Sequence, residues 1–138
     1  MRLIGFNFTK INMEKKSSNL KNLKVSANIN ILDIKKAKSE FFSSSDSLLG
    51  VTFEYSINYE KDIATLNFQG NVAVSVGSKQ AKGVLEEWKN KQLPEDFKVP
   101  LFNLILKKSS LKALQFEEEF NLPPHIPMPS FKSTSKKD

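Results

Sequence analysis

The first half of the chain alternates. Ile4, Phe6 and Phe8 stand at every second position among smaller or polar neighbours, and Ile11 and Met13 continue on the opposite parity. A parity switch inside an alternating run is what one inserted residue produces, so a β-bulge is predicted near Thr9-Lys10. Leu23, Val25, Ala27, Ile29 and Ile31 share one face of a second run. Leu49, Val51, Phe53, Tyr55, Ile57 and Tyr59 share one face of a third; Leu66, Phe68, Val72, Val74 and Val76 share one face of a fourth, with Gly70 between them. Alternation with polar partners marks strands of an antiparallel sheet buried on one side. Thr52, Glu54, Ser56 and Asn58 then face water. The polar stretch from Lys15 to Asn22 predicts a loop, and Glu60-Lys61-Asp62 is short enough to close a hairpin. From Ile34 to Leu48 the pattern fits either a strand extension or a short helix before the loop at Ser43-Ser44-Ser45.

The second half has a period of three to four. Ser78 is a candidate N-cap for a helix whose apolar stripe is Ala81, Val84, Leu85 and Trp88. Gly83 weakens that helix by about 1 kcal/mol relative to alanine, and Pro94 ends it. A second, longer helix is predicted from near Val99-Pro100, since proline suits a first turn. Phe102, Ile105, Leu106, Ser109, Ala113, Phe116 and Phe120 recur along it, and Leu101, Leu104, Leu111 and Leu114 widen the stripe. A helix apolar on more than one side must bury its second side somewhere, and another subunit is the expected place. The segment from Leu122 to Pro129 holds four prolines in seven residues (123–129) and is predicted to be extended. The polar, lysine-bearing end from Ser130 is predicted to be disordered. The expected organisation is one α+β domain over residues 1–122, a four-stranded antiparallel sheet followed by two helices, and then a proline-rich segment and basic tail over 123–138.

Composition narrows the function. The chain has 138 residues, a formal charge of +6 and no cysteine. Disulfides, thiolate metal sites and cysteine nucleophiles are excluded, and a reducing, cytoplasmic setting is expected. The N-terminus turns polar too early for a signal-peptide core, and no run approaches the ~18 apolar residues of a membrane span. Arg2 is the single arginine among 21 basic residues, so the planar fork that reads bases and clamps phosphates is nearly missing. A single-strand nucleic-acid module using lysine and aromatic residues stays an alternative, as does a single-partner adaptor that docks through the proline segment or the tail.

Catalytic chemistry is thinly supplied. His125 is the only histidine and lies between prolines; alone it makes no usual zinc site and is expected to be packed or solvated. Glu117-Glu118-Glu119 fans over a wide helical arc and reads as a solvated face. Glu54, Glu60 and Asp62 read as surface charges. No glycine cluster fits a phosphate-binding loop. Neither a metal nor a cofactor is expected, and the chain does not read as an enzyme. Eleven phenylalanines are many for this length, and apolar surface left over from the core suits the capture of other polypeptides. Phe41, Phe42, Trp88, Leu93 and Phe97, at element ends and in linkers, are the candidate client-binding residues.

The order of elements resembles the SecB-like protein-export chaperones. The resemblance rests on three segments. They are the early strand through Phe8-Thr9-Lys10-Ile11, the opening Leu101-Phe102-Asn103-Leu104-Ile105-Leu106 of the second helix, and Phe120-Asn121-Leu122-Pro123-Pro124-His125-Ile126-Pro127 after it. It implies strands that pair with a second subunit, a dimer of dimers with the long helices packed centrally, and grooves between helix and sheet that hold unfolded clients without nucleotide. Leu104, Ser109, Ala113 and Phe116 are then the expected subunit contacts. That family is acidic and uses acidic surface to dock on a translocation motor, whereas this chain is basic. A general holdase or a chaperone dedicated to one client fits as well as a role in export.

Overall fold

The computed structural model describes residues 1–17, 23–37 and 46–133. Four antiparallel strands, β1 (Arg2–Lys15), β2 (Val25–Ala37), β3 (Asp46–Tyr59) and β4 (Ala64–Gly77), form one sheet in the order β1-β4-β3-β2. Two helices follow, α1 (Ser78–Trp88) and α2 (Glu95–Glu119). The predicted fold class is the observed one. The serine loop and the candidate contacts Phe41 and Phe42 lie outside the described residues.

The central strands carry the core. Every odd residue of β3 from Leu49 to Tyr59 is buried, as are the even residues of β4 from Ala64 to Val76. Gly70 is needed here: a Cβ at that position would lie 2.5 Å from the Asn7 carbonyl and 2.8 Å from the Phe53 ring. The space lets Phe53 lie flat across the strand and meet Phe6, its ring centroid 5.2 Å away. The hairpin between β3 and β4 turns through Glu60–Asp62, with Lys61 and Asp62 both at positive φ.

The edge strands are less regular than their pattern suggested. The predicted bulge in β1 is present, with Thr9 skipped between the pairs Phe8↔Gly70 and Lys10↔Gln69. A second register shift skips Ile4, which therefore leaves the inner face expected for it and is exposed. In β2 the shift skips Leu32 and returns Ile34 to the core, so the segment from Ile34 to Leu48, open between strand and helix, begins as strand as far as Ala37.

Both helix starts differ from expectation. Gly77, not Ser78, is the N-cap of α1, with no side-chain cap. Pro94 is the N-cap of α2, Glu95 and Asp96 occupy its first turn, and Pro100 lies inside the helix. The acidic pair complements the positive end of the helix dipole, and the helix continues through Pro100 although the proline cannot make its backbone hydrogen bond. The buried side of α2 is an unbroken row at every fourth residue: Phe97, Leu101, Ile105, Ser109, Ala113 and Glu117. Such a row drifts by roughly 40° per step around a helix of 3.6 residues per turn. Part of the broad apolar stripe is therefore one buried face winding as the helix crosses a twisted sheet.

Both helices end in the same turn. Gln92 N–H donates to the Glu87 carbonyl and Lys91 N–H to that of Trp88, with Lys91 at φ 58°. Leu122 N–H donates to the Glu117 carbonyl and Asn121 N–H to that of Glu118, with Asn121 at φ 55°. This is the Schellman pairing, in which a left-handed residue satisfies the last carbonyls and reverses the chain. For a residue with a Cβ the left-handed conformation costs roughly 1 kcal/mol.

Candidate functional site

The two ends of α2 meet the sheet differently. At the first end the α1–α2 connection and the start of α2 stand away from β2. They leave a groove of about 630 Å³ lined by Ile29, Ile31, Trp88, Leu93 and Phe102, with Asn30, Glu87, Lys91, Gln92 and Lys98 at its polar margin. A smaller hollow of about 220 Å³ continues from Ile29 and Phe102 to Ala27, Tyr55 and Leu106. Among the described residues β2 is an outer strand hydrogen-bonded only to β3, so its far side offers backbone groups that no described strand pairs with, beside the groove. Two lysines lie against its aromatic walls: Lys91 Nζ is 4.5 Å from the Trp88 ring centroid and Lys98 Nζ is 5.5 Å from that of Phe102.

Trp88 and Leu93, two of the candidate client contacts, are thus brought together with Ile29, Ile31 and Phe102. Phe97 is different. It is fully buried under the start of α2 and presents no surface to a ligand. Ile29 and Ile31 were legible as strand residues. Their role as a groove wall follows from β2 lying at the sheet edge, and pairing order is not written in alternation.

At the other end of α2 the chain seals itself. After Asn121 the backbone folds back, Leu122 is buried, and Lys15 Nζ donates to the Phe120 carbonyl at 2.9 Å. Glu117 was expected to be solvated with Glu118 and Glu119. They are exposed, but Glu117 is 1% exposed, because it is the last member of the buried row. Its carboxylate accepts from the Tyr59 hydroxyl at 2.7 Å and from His125 N–H at 3.2 Å. His125 Nδ1 lies 2.9 and 3.0 Å from the two carboxylate oxygens and so carries its proton toward them. The His125 side chain is 3% exposed, packed edge-on near Tyr55, and its Nε2 is buried without a hydrogen-bond partner. The Tyr59 hydroxyl also reaches the Pro123 carbonyl, so one proton serves two acceptors. Burial pushes the Tyr59 hydroxyl far above the usual phenol range, and the Glu117 carboxylate beside it pushes the same way. Pro123 and His125, just past Leu122, are thus held against the end of α2 and the β3–β4 turn end of the sheet.

Of the expected subunit contacts, Ser109 and Ala113 are fully covered by the chain's own sheet and offer nothing to a partner, while Leu104 and Phe116 are half-buried. The apolar residues that α2 turns outward are Val99, Leu106 and Leu111. Among the described residues no group of three His, Asp or Glu side chains forms a metal cage, and no helix is long and apolar enough to cross a membrane.

No protein-family model matches the chain. No curated protein matches by sequence. Among solved structures the chain is similar to the Mycobacterium tuberculosis SecB-like chaperone Rv1957, solved in complex with a ChAD peptide from the HigA1 antitoxin. The TM-score is 0.55 and the identity 11%, over 94% of this chain and 89% of that one. At that identity the likeness shows a shared fold and no more.

Proposed function

We propose that the protein is a SecB-like chaperone that holds unfolded or extended polypeptide segments in the groove beside β2. One observation carries this. An unpaired strand edge runs alongside an open apolar groove walled by Trp88, Leu93 and Phe102. That is the arrangement strand addition needs, with backbone hydrogen bonds for affinity and alternate side chains seated in the groove. The peptide complex formed by the Mycobacterium tuberculosis protein of the same fold supports it. A segment burying about 300 Å² of apolar surface gains roughly 7 kcal/mol before the cost of association, the range of a weak, reversible holdase. The proposed assembly is a homo-oligomer packed through the outward side of α2, where Val99, Leu106 and Leu111 are exposed.

The test follows light scattering of a denatured model substrate with added protein. Suppression of aggregation near equimolar subunits, lost on Trp88→Ala and Leu93→Ser, is the expected result. Failure to suppress aggregation would remove the chaperone reading. The solution mass by light scattering tests the assembly, and a monomer at working concentration would remove that part alone.

A further inference from the structure

The groove is not charge-neutral, and its charge is built into its aromatic walls. Lys91 and Lys98 each lay an ammonium over a ring that lines the groove, against Glu87 as the acidic residue of the lining. A lysine over an aromatic face buries its stem on the ring and keeps its charge at the rim. Lys91 is also held in a left-handed backbone conformation at the end of α1, at φ 58°, where glycine is the usual choice. From that position its ammonium lies 4.5 Å from the Trp88 ring centroid. A side chain retained at a strained position beside a groove is a reason to look for a role there.

We propose that the groove selects extended polypeptide segments in which aromatic or aliphatic anchors are flanked by Asp or Glu. An anchor seated between Trp88 and Phe102 places its sequence neighbours at the rim, within reach of the two ammonium groups. A carboxylate there gains a charge-assisted contact, whereas a lysine or arginine meets like charge at both walls. The peptide reading, rather than a nucleic acid, is favoured because β2 offers backbone donors and acceptors in strand spacing, which a phosphodiester chain cannot pair with. The inference rests on the proposed peptide-binding function and adds the chemistry of the ligand.

Trp88 is the only tryptophan, so its fluorescence reports occupancy of the groove directly. Three peptides with one apolar core and flanks of Asp/Glu, Ser or Lys are titrated at low and high salt. The acid-flanked peptide is expected to bind on the order of tenfold more tightly than the serine-flanked one, an advantage that shrinks with salt. Lys91→Gly, which suits the left-handed turn, combined with Lys98→Met, should abolish the advantage, so that the acid-flanked and serine-flanked peptides bind the variant equally. Equal affinities, or preference for the lysine-flanked peptide, would overturn the acidic preference while leaving peptide binding intact. Binding by none of the three would overturn both. Displacement of the acid-flanked peptide by a short oligothymidylate at comparable concentration would overturn the peptide assignment in favour of single-stranded nucleic acid.

Discussion

The two ends of α2 lie on the same sheet, yet one is shut by the chain's own extended segment and the other stands open. At the shut end an extended segment is held by a buried carboxylate, a tyrosine hydroxyl, a lysine on a carbonyl and one apolar anchor, Leu122. At the open end the strand edge, the apolar walls and two cations line a groove that none of the described segments of the chain fills. The difference shows what a helix-on-sheet groove needs before it accepts a polypeptide: anchors for its side chains and partners for its polar backbone. The chain supplies both to itself at one end; at the other, both stand open on the face where we propose that a guest segment binds.

The contrast breaks most sharply at Glu117. Glu117→Ala leaves His125 N–H and His125 Nδ1 without their buried acceptor, at about 1–3 kcal/mol for each such group, and takes one of its two acceptors from the Tyr59 hydroxyl. A loss of about 3–5 kcal/mol in urea denaturation is expected. A loss below about 1 kcal/mol would mean that the shut end is not held by its polar cluster.

Trp88→Ala should do the reverse. A half-buried side chain at the margin of the core is expected to change stability by about 1 kcal/mol, while weakening a labelled peptide, read by anisotropy, by about 2 kcal/mol, as a groove hot spot does. If stability falls and binding holds, the open end is ordinary core.

Tyr59→Phe is milder, about 1–2 kcal/mol, because Glu117 keeps its histidine contacts. It also carries a pH signature. The Tyr59 hydroxyl holds its proton more tightly folded than unfolded. Its contribution is therefore complete below about pH 10, where an unfolded tyrosine begins to ionise, and declines as pH rises beyond that. The variant should lack that part of the alkaline decline in a pH series of denaturant midpoints; an unchanged decline would detach Tyr59 from it.

The legible parts of the molecule are those where one physical constraint acts alone. β3 and β4 are covered on one face along their whole inner length, so alternation from Leu49 to Val76 marks them without ambiguity. β1 and β2 each have a neighbour on one side only, which lets Ile4 and Leu32 slip out of register and breaks the alternation there. Trp88 and Leu93 were singled out from their place at an element end and in a linker, and the structure brings them together in one groove. Phe97, only four residues beyond Leu93, was misplaced because the helix starts at Glu95, and the weight given to Pro100 hid that start. Glu117 was hidden by its acidic neighbours. Its spacing of four from Ala113, and so from Phe97 onward, was the one sign that it belongs to the buried row.

The skipped Leu32 also sets a length. Ahead of it, Val25 to Ile31 pair with β3 without interruption over seven residues, and beyond it the ladder is offset. A guest strand laid along the outer side keeps step with its host only over that stretch, roughly 23 Å of extended chain. On the proposed strand addition, the interruption would act as a ruler, limiting the paired part of a guest to one short strand of about seven residues.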